Sequence, residues 1–151
     1  MSTLKDQLRT DLTTAIKARD ETRTRTIRMA LTSITNEEVS GAAAHDLTDQ
    51  DVIKILTREA KRRREAAAAF AEAGRGEQAA AERAEEEVLA GYLPAQLSDD
   101  ELAALVAAAI AETGASGPGG MGQVMKVVTP QVAGRADGSR VAAMVKSRLT
   151  G

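Results

Sequence analysis

The chain has 151 residues, 43% hydrophobic and 28% charged, with a net charge of −2 and no cysteine. That length suits one ordinary domain or two small ones, and a free-standing piece well under about 60 residues would be marginal. Without cysteine there are no disulfides, thiol nucleophiles or cysteine metal sites, and with no long apolar run and a start, Met1 to Asp11, charged from Lys5 onward, neither export nor membrane spanning is indicated, so a cytoplasmic address is expected.

Phe70 and Tyr92 are the only aromatic residues, so the core must be built from Ala, Leu, Val, Ile and Met. Alanine with Glu, Lys and Arg and few β-branched runs sums to a high helix propensity, which predicts an all-α fold. Thr3 with Asp6 three residues later predicts a capped start for a first helix, carrying Leu4, Leu8, Leu12 and Ile16 on one face and running to about Arg19. A second helix follows Asp20, with Ile27, Ala30, Leu31 and Ile34 facing inward and Arg23, Arg25 and Arg28 among the exposed candidates, and closes near Gly41.

Thr48 and Asp51 open a third helix, whose Val52, Ile55, Leu56, Ala60, Ala67 and Phe70 keep a helical period up to the stop at Gly74. Its middle holds the basic run Lys61-Arg62-Arg63-Arg64. An RNA-binding stripe is one reading of that run. Consecutive helical positions point around most of the circumference, however, and Glu82, Glu85, Glu86 and Glu87 of the next helix can face the run across an antiparallel hairpin at Arg75-Gly76, which predicts ion pairs. The fourth helix spans Glu77 to Ala90, and Tyr92-Leu93-Pro94 marks a domain junction, because the residue before a proline is pushed out of the α region.

Ser98-Asp99-Asp100-Glu101 is a capping box ahead of a fifth helix through Leu102, Leu105, Val106, Ala109 and Ile110, with Gly114 after it. Ala115 to Gly120 lacks both the spacing of a phosphate loop and a preceding strand, and is read as an interhelix hinge. Met121, Val124, Met125 and Val128 then form an apolar stripe that Pro130 kinks or ends, its methionines filling core gaps. Gly134 supplies a left-handed helix stop and Asp137 a cap for the final helix at Gly138, which carries Val141, Met144, Val145 and Leu149. Arg135 lies on this tight turn, where it either binds a phosphate or clamps local carbonyls and Asp137.

Charge is unevenly spread: residues 114–151 hold five basic side chains and one acidic, against 15 and 21 in residues 1–113. A basic stretch on an acidic protein is a candidate footprint for nucleic acid, or a solvated surface. No pattern of His, Asp and Glu suits a metal, the single histidine, His45, lies in a polar loop, and adjacent acids such as Glu85-Glu86-Glu87 splay by about 100° on a helix, so neither a metal, a cofactor nor a catalytic pair is expected.

Three ordered motifs carry a resemblance. Tyr92-Leu93-Pro94-Ala95-Gln96-Leu97-Ser98 resembles the Y-L-P-x-Q-L-[ST] junction of the GatB/YqeY family, Met121-Gly122 with Val124-Met125 its M-G-x-V-M helix start, and Gly134-Arg135-Ala136-Asp137-Gly138 its G-R-A-D-G turn. Arg28, Leu31, Asn36-Glu37-Glu38, Lys61 to Glu65, Phe70 and Ala73-Gly74-Arg75 also follow the order of its free-standing members. The resemblance implies a helical N-terminal hairpin or bundle domain, residues 1–93, and a small three-helix domain, residues 94–151, similar to the tail of the aspartyl/glutamyl-tRNA amidotransferase B subunit.

It further implies an accessory protein binding tRNA, or a tRNA-amidating or aminoacyl-tRNA complex, with Lys126, Arg135, Arg140, Lys146 and Arg148 as backbone contacts and Gly134, Asp137 and Gly138 as the structural turn. The chain departs from the family pattern where Gly119, Gly120 and Gln123 stand at charged positions, so this helix start is less basic. The family label also implies carbon-nitrogen ligation with glutamine as amido donor, an activity expected only within a complex. A protein-interaction module of another pathway is the remaining alternative.

Overall fold

The computed structural model describes residues 3–150. Met1, Ser2 and Gly151, the ends of the two expected domains, lie outside the described residues. The chain is all-α: α1 Thr3–Lys17, α2 Glu21–Glu38, α3 Asp49–Glu72, α4 Gly76–Ala90, α5 Asp99–Thr113, a 3₁₀ turn Pro118–Gly120, α6 Met121–Val132 and α7 Gly138–Thr150. It divides into two compact units, Met1–Leu93 and Pro94–Gly151.

In the first unit, α3 and α4 form an antiparallel hairpin closed at Gly74, whose φ of 75° is the left-handed stop that a side chain would resist. Leu8 of α1, Ile27, Ala30 and Ile34 of α2, and Val52, Ile55 and Leu56 of α3 pack with Leu89 of α4 into one apolar core. Thr48 caps α3 as expected, its hydroxyl accepting from the Asp51 amide while the Asp51 carboxylate accepts from the Thr48 amide. Asp20 likewise caps α2 through the Arg23 amide.

The start of α1 differs from the expectation. The Thr3 hydroxyl donates to Asp49 Oδ2 at 2.6 Å and the Leu4 amide to Asp49 Oδ1 at 3.0 Å, so a carboxylate from the first turn of α3 serves this end. The apolar stripe of α1 is also corrected. Leu8 and Ala15 are buried, seven positions and nearly two full turns apart, whereas Ile16 is 47% exposed. Steps of four residues overshoot a turn by about 40° each, so the row from Leu4 has rotated out of the core by Ile16.

The basic run of α3 resolves into ion pairs, as its charge pattern predicts: Arg64 meets Glu86 at 2.9 Å and Arg63 lies 3.6 Å from Glu85, both on α4. Arg63 goes further than the expectation. It is buried on the core face of α3, donating to the Glu59 carboxylate at 2.6 Å and to the Glu59 carbonyl at 3.2 Å. Ser33 of α2 donates to the same carboxylate, and Arg25 of α2 donates to Glu85. The N-terminal core therefore has an apolar half and a polar half, the latter joining α2, α3 and α4.

The second unit is built from α5, α6 and α7 around Leu102, Val106, Val124, Val128, Val141 and Val145, all fully or almost fully buried. Met121, Met125 and Met144 are partly buried against this cluster, as gap-filling side chains. Ser98 and Glu101 make the reciprocal capping box of α5, and Gly114 ends it at φ 67°. Pro130 neither ends nor breaks α6 at once, since the helix continues to Val132.

Candidate nucleic-acid interface

Two of the sequence motifs meet in space. The segment Pro94–Asp99 lies against the turn Gly134–Arg140, and the polar groups of each segment serve the other. The Leu97 amide donates to the Arg135 carbonyl at 2.8 Å. In return Arg135 Nε donates to the Ala95 carbonyl at 3.1 Å, and Gln96 Nε2 donates to the Gly134 carbonyl at 2.9 Å. Arg140 completes the clasp, with Nη1 on the Leu97 carbonyl at 2.8 Å and Nη2 on Asp99 Oδ1 at 2.7 Å.

The local chain explains why this turn can present its groups. Gly134, at φ 74°, reverses the chain after α6, and the Arg135 and Ala136 amides both return to the Val132 carbonyl. The Asp137 carboxylate accepts from the amide and hydroxyl of Ser139, and its carbonyl accepts from the Val141 amide, starting α7 at Gly138. Ala136 is buried between these ends. The clamp made by Arg135 falls on the Ala95 carbonyl, across 40 residues of sequence, instead of on Asp137.

The five expected contact residues therefore separate by environment. Arg135 and Arg140 are half-buried and converge on residues 95–99, where they satisfy carbonyls preceding α5. Lys126 on α6 and Lys146 and Arg148 on α7 are exposed and make no ion pair among the described residues. Lys146 and Arg148, two positions apart, diverge by about 200° around α7 and do not form a single stripe. Arg135, half-buried, spends only Nε on its clamp, so the other donors of its guanidinium fork are not used there. It also helps to hold the Glu101 carboxyl below its usual range, after the larger effects of the Ser98 amide and hydroxyl.

Elsewhere, His45, Glu37, Asp51, Lys54 and Arg58 line a cavity of about 210 Å³ in the N-terminal unit. Asp51 is committed there to the α3 capping box, whose Thr48 amide and hydroxyl lower its carboxyl below the ordinary range. Among the described residues no group of three or more His, Asp or Glu is placed to hold a metal ion, and no helix is long and apolar enough to cross a membrane.

A family model described as Yqey-like protein matches residues 5–149. The chain belongs to this family. The match runs through both compact units, and its range takes in the α3–α4 hairpin and the residues of the clasp, 94–99 and 134–140. No curated protein matches this Yqey-like chain.

The sequence reading expected Arg63 to face acids of α4 such as Glu85, but the burial of this group and the Glu59–Arg63 pair within α3 escaped it. A signal was present. Glu59 and Arg63 are four residues apart and fall on the same face as Val52, Leu56 and Ala60, a face that burial should have denied to unpaired charge.

Proposed function

We propose that this Yqey-like protein is a non-catalytic accessory protein that binds tRNA, alone or within a tRNA-amidating complex, through the exposed cations of its C-terminal unit. The observation that carries the reading is the partition of the basic residues. Lys126, Lys146 and Arg148 stand exposed without carboxylate partners on α6 and α7, in a stretch, residues 114–151, that holds five basic side chains and one acidic; α5 carries the four acidic residues that bring the C-terminal unit as a whole to neutrality. Exposed ammonium and guanidinium groups on a helical surface suit contact with phosphates, which is how folded RNA is mostly held. The resemblance of residues 92–138 to the tail of an amidotransferase B subunit supports the same direction. Arg135 adds the free edge of its fork, whereas Arg140, already used by Leu97 and Asp99, serves the unit's own structure.

Gel shift of the full chain with total tRNA at low and moderate salt tests the proposal. A shift at low salt that Lys126→Ala/Lys146→Ala/Arg148→Ala abolishes supports it, and the absence of any shift contradicts it.

A further inference from the structure

Among the described residues three large apolar side chains are exposed, Ile16, Met29 and Val39, and two of them lie together. Ile16 and Met29 line an open groove of about 680 Å³ at the α1–α2 junction, with Arg19, Arg25 and Arg28 around them and Glu21 as its acidic member. Ile16 has turned out of the α1 stripe, and Met29 is 45% exposed although its sulfur receives a contact from Arg63 Nη2 at 3.5 Å.

The arginines are placed by local structure. Arg25, Arg28 and Met29 stand at i, i+3 and i+4 on α2, which puts them on one face. Arg25 gives Nε to Glu85, yet its side chain remains 54% exposed with further donors toward solvent. Arg19 sits in the left-handed region at φ 57°, the only described residue other than glycine that does so, as the helix-ending residue of α1. Helix ends give that conformation to glycine because a Cβ crowds the following carbonyl there. From that strained position Arg19 lines the groove.

We propose that this groove docks an acidic, amphipathic protein segment, whose aliphatic anchor rests on Ile16 and Met29 while its carboxylates pair with Arg19, Arg25 and Arg28. Charge selects the occupant: with Glu85 already on Arg25 and Glu21 in the lining, three guanidiniums meet two carboxylates, leaving a positive excess that favours an acidic ligand, and arginine forks bind carboxylates bidentately. The aliphatic floor selects protein over single-stranded nucleic acid, which relies on aromatic side chains for base stacking, and neither Phe70 nor Tyr92 lines the groove. The site is independent of the C-terminal cations, and it stands or falls separately from tRNA binding.

Panning a phage library of random peptides of about 14 residues, roughly four helical turns, against the full chain tests the docking site. Enriched peptides are expected to carry several Asp or Glu residues with Leu, Ile or Phe at helical spacing. By fluorescence anisotropy the synthesised consensus peptide should lose roughly tenfold or more in affinity to Met29→Glu, the size of effect typical of a central anchor. Arg19→Gly should weaken binding as well without lowering the melting temperature, since glycine relieves the backbone, and this separates docking from folding. No enrichment, enrichment of neutral or basic peptides, or binding unchanged in both variants overturns the proposal. Binding of an oligouridylate probe that the same variants abolish would assign the groove to RNA and overturn it equally.

Discussion

Glu59 and Arg63, one turn apart on α3, meet at 2.6 Å with side chains only 9% and 6% exposed. Around them Ser33 holds the second Glu59 oxygen, Glu85 stands 3.6 Å from Arg63 Nε, and that Nε is buried without a hydrogen-bond partner. Charges this deep must be matched, because desolvation costs each of them several kcal/mol that only close pairing offsets.

Removing one member should therefore hurt more than removing both. Arg63→Met leaves the Glu59 carboxylate buried with weakened compensation and is expected to destabilise the protein by about 3 kcal/mol. Glu59→Met/Arg63→Met replaces the pair by apolar side chains, while Glu85 keeps Arg25, and should recover most of that loss. Urea denaturation of wild type, both single variants and the double variant measures the coupling; a double variant less stable than Arg63→Met would show that the pair is not what these charges depend on.

Arg140 is expected to matter for folding of the C-terminal unit. Arg140→Ala strips the Leu97 carbonyl of its charged donor and should cost about 1–2 kcal/mol, whereas Arg135→Ala, whose bond to Ala95 is exposed, should cost less than about 1 kcal/mol. Arg140→Lys should not restore the loss, because one ammonium replaces a fork that reaches two acceptors. Urea midpoints of the three variants decide the order.

The hinge before α6 contains glycines of unequal importance. A Cβ on Gly120 would stand 2.7 Å from the Ala115 Cβ, a contact that must push backbone apart, while one on Gly119 meets nothing within 4 Å. Gly120→Ala should destabilise by about 1–3 kcal/mol and Gly119→Ala should be close to neutral. Thermal melts of the two variants, differing by a single methyl position, make the comparison.

Stability should fall at both ends of the pH range for different reasons. Burial, then the hydrogen bond to Asp11 and its charge, push the Tyr92 phenol above its ordinary 10.0. A raised folded value means that this contribution is complete below 10.0 and is lost as pH rises beyond it, so Tyr92→Phe should flatten the alkaline decline. Asp51 and Glu101 behave oppositely: their capping bonds lower both carboxyls, so the contribution is present above the ordinary 3.8 and 4.5 and is lost as pH falls through the lowered values. Asp51→Asn/Glu101→Gln should reduce the acid-side slope. Urea midpoints followed against pH for both variants test the two signs.

Much of the fold could be read from local chemistry. Thr48 with Asp51, Ser98 with Glu101, and the stops at Gly74 and Gly114 act within a few residues, and all appear where their spacing places them. The helix content follows from the alanine-rich composition for the same reason. Apart from the buried Glu59–Arg63 pair, which is local, what escaped reading depends on contacts far apart in sequence. Asp49 serves the start of α1 across 45 residues, and Arg140 reaches the Leu97 carbonyl across 43. Arg135 was legible as either a phosphate ligand or a clamp, and only the position of the Ala95 carbonyl distinguishes its structural use. Lys126, Lys146 and Arg148 show the reverse limit: their exposure is visible, but a ligand for them must be supplied from outside the chain.

The central claim is that these three exposed cations bind tRNA while Arg140 holds the unit together. Titration of labelled tRNA with the full chain across a salt series tests it most directly, comparing wild type, Lys126→Ala/Lys146→Ala/Arg148→Ala and Arg140→Lys. Wild type should bind with a logarithmic salt slope of about −2 to −3, as expected for roughly three phosphate contacts, and the triple variant should lose that slope and its binding with its melting temperature unchanged. Arg140→Lys should lower stability yet keep the slope wherever it remains folded. Binding by the triple variant with the wild-type slope, or no binding by wild type at low salt, would contradict the claim.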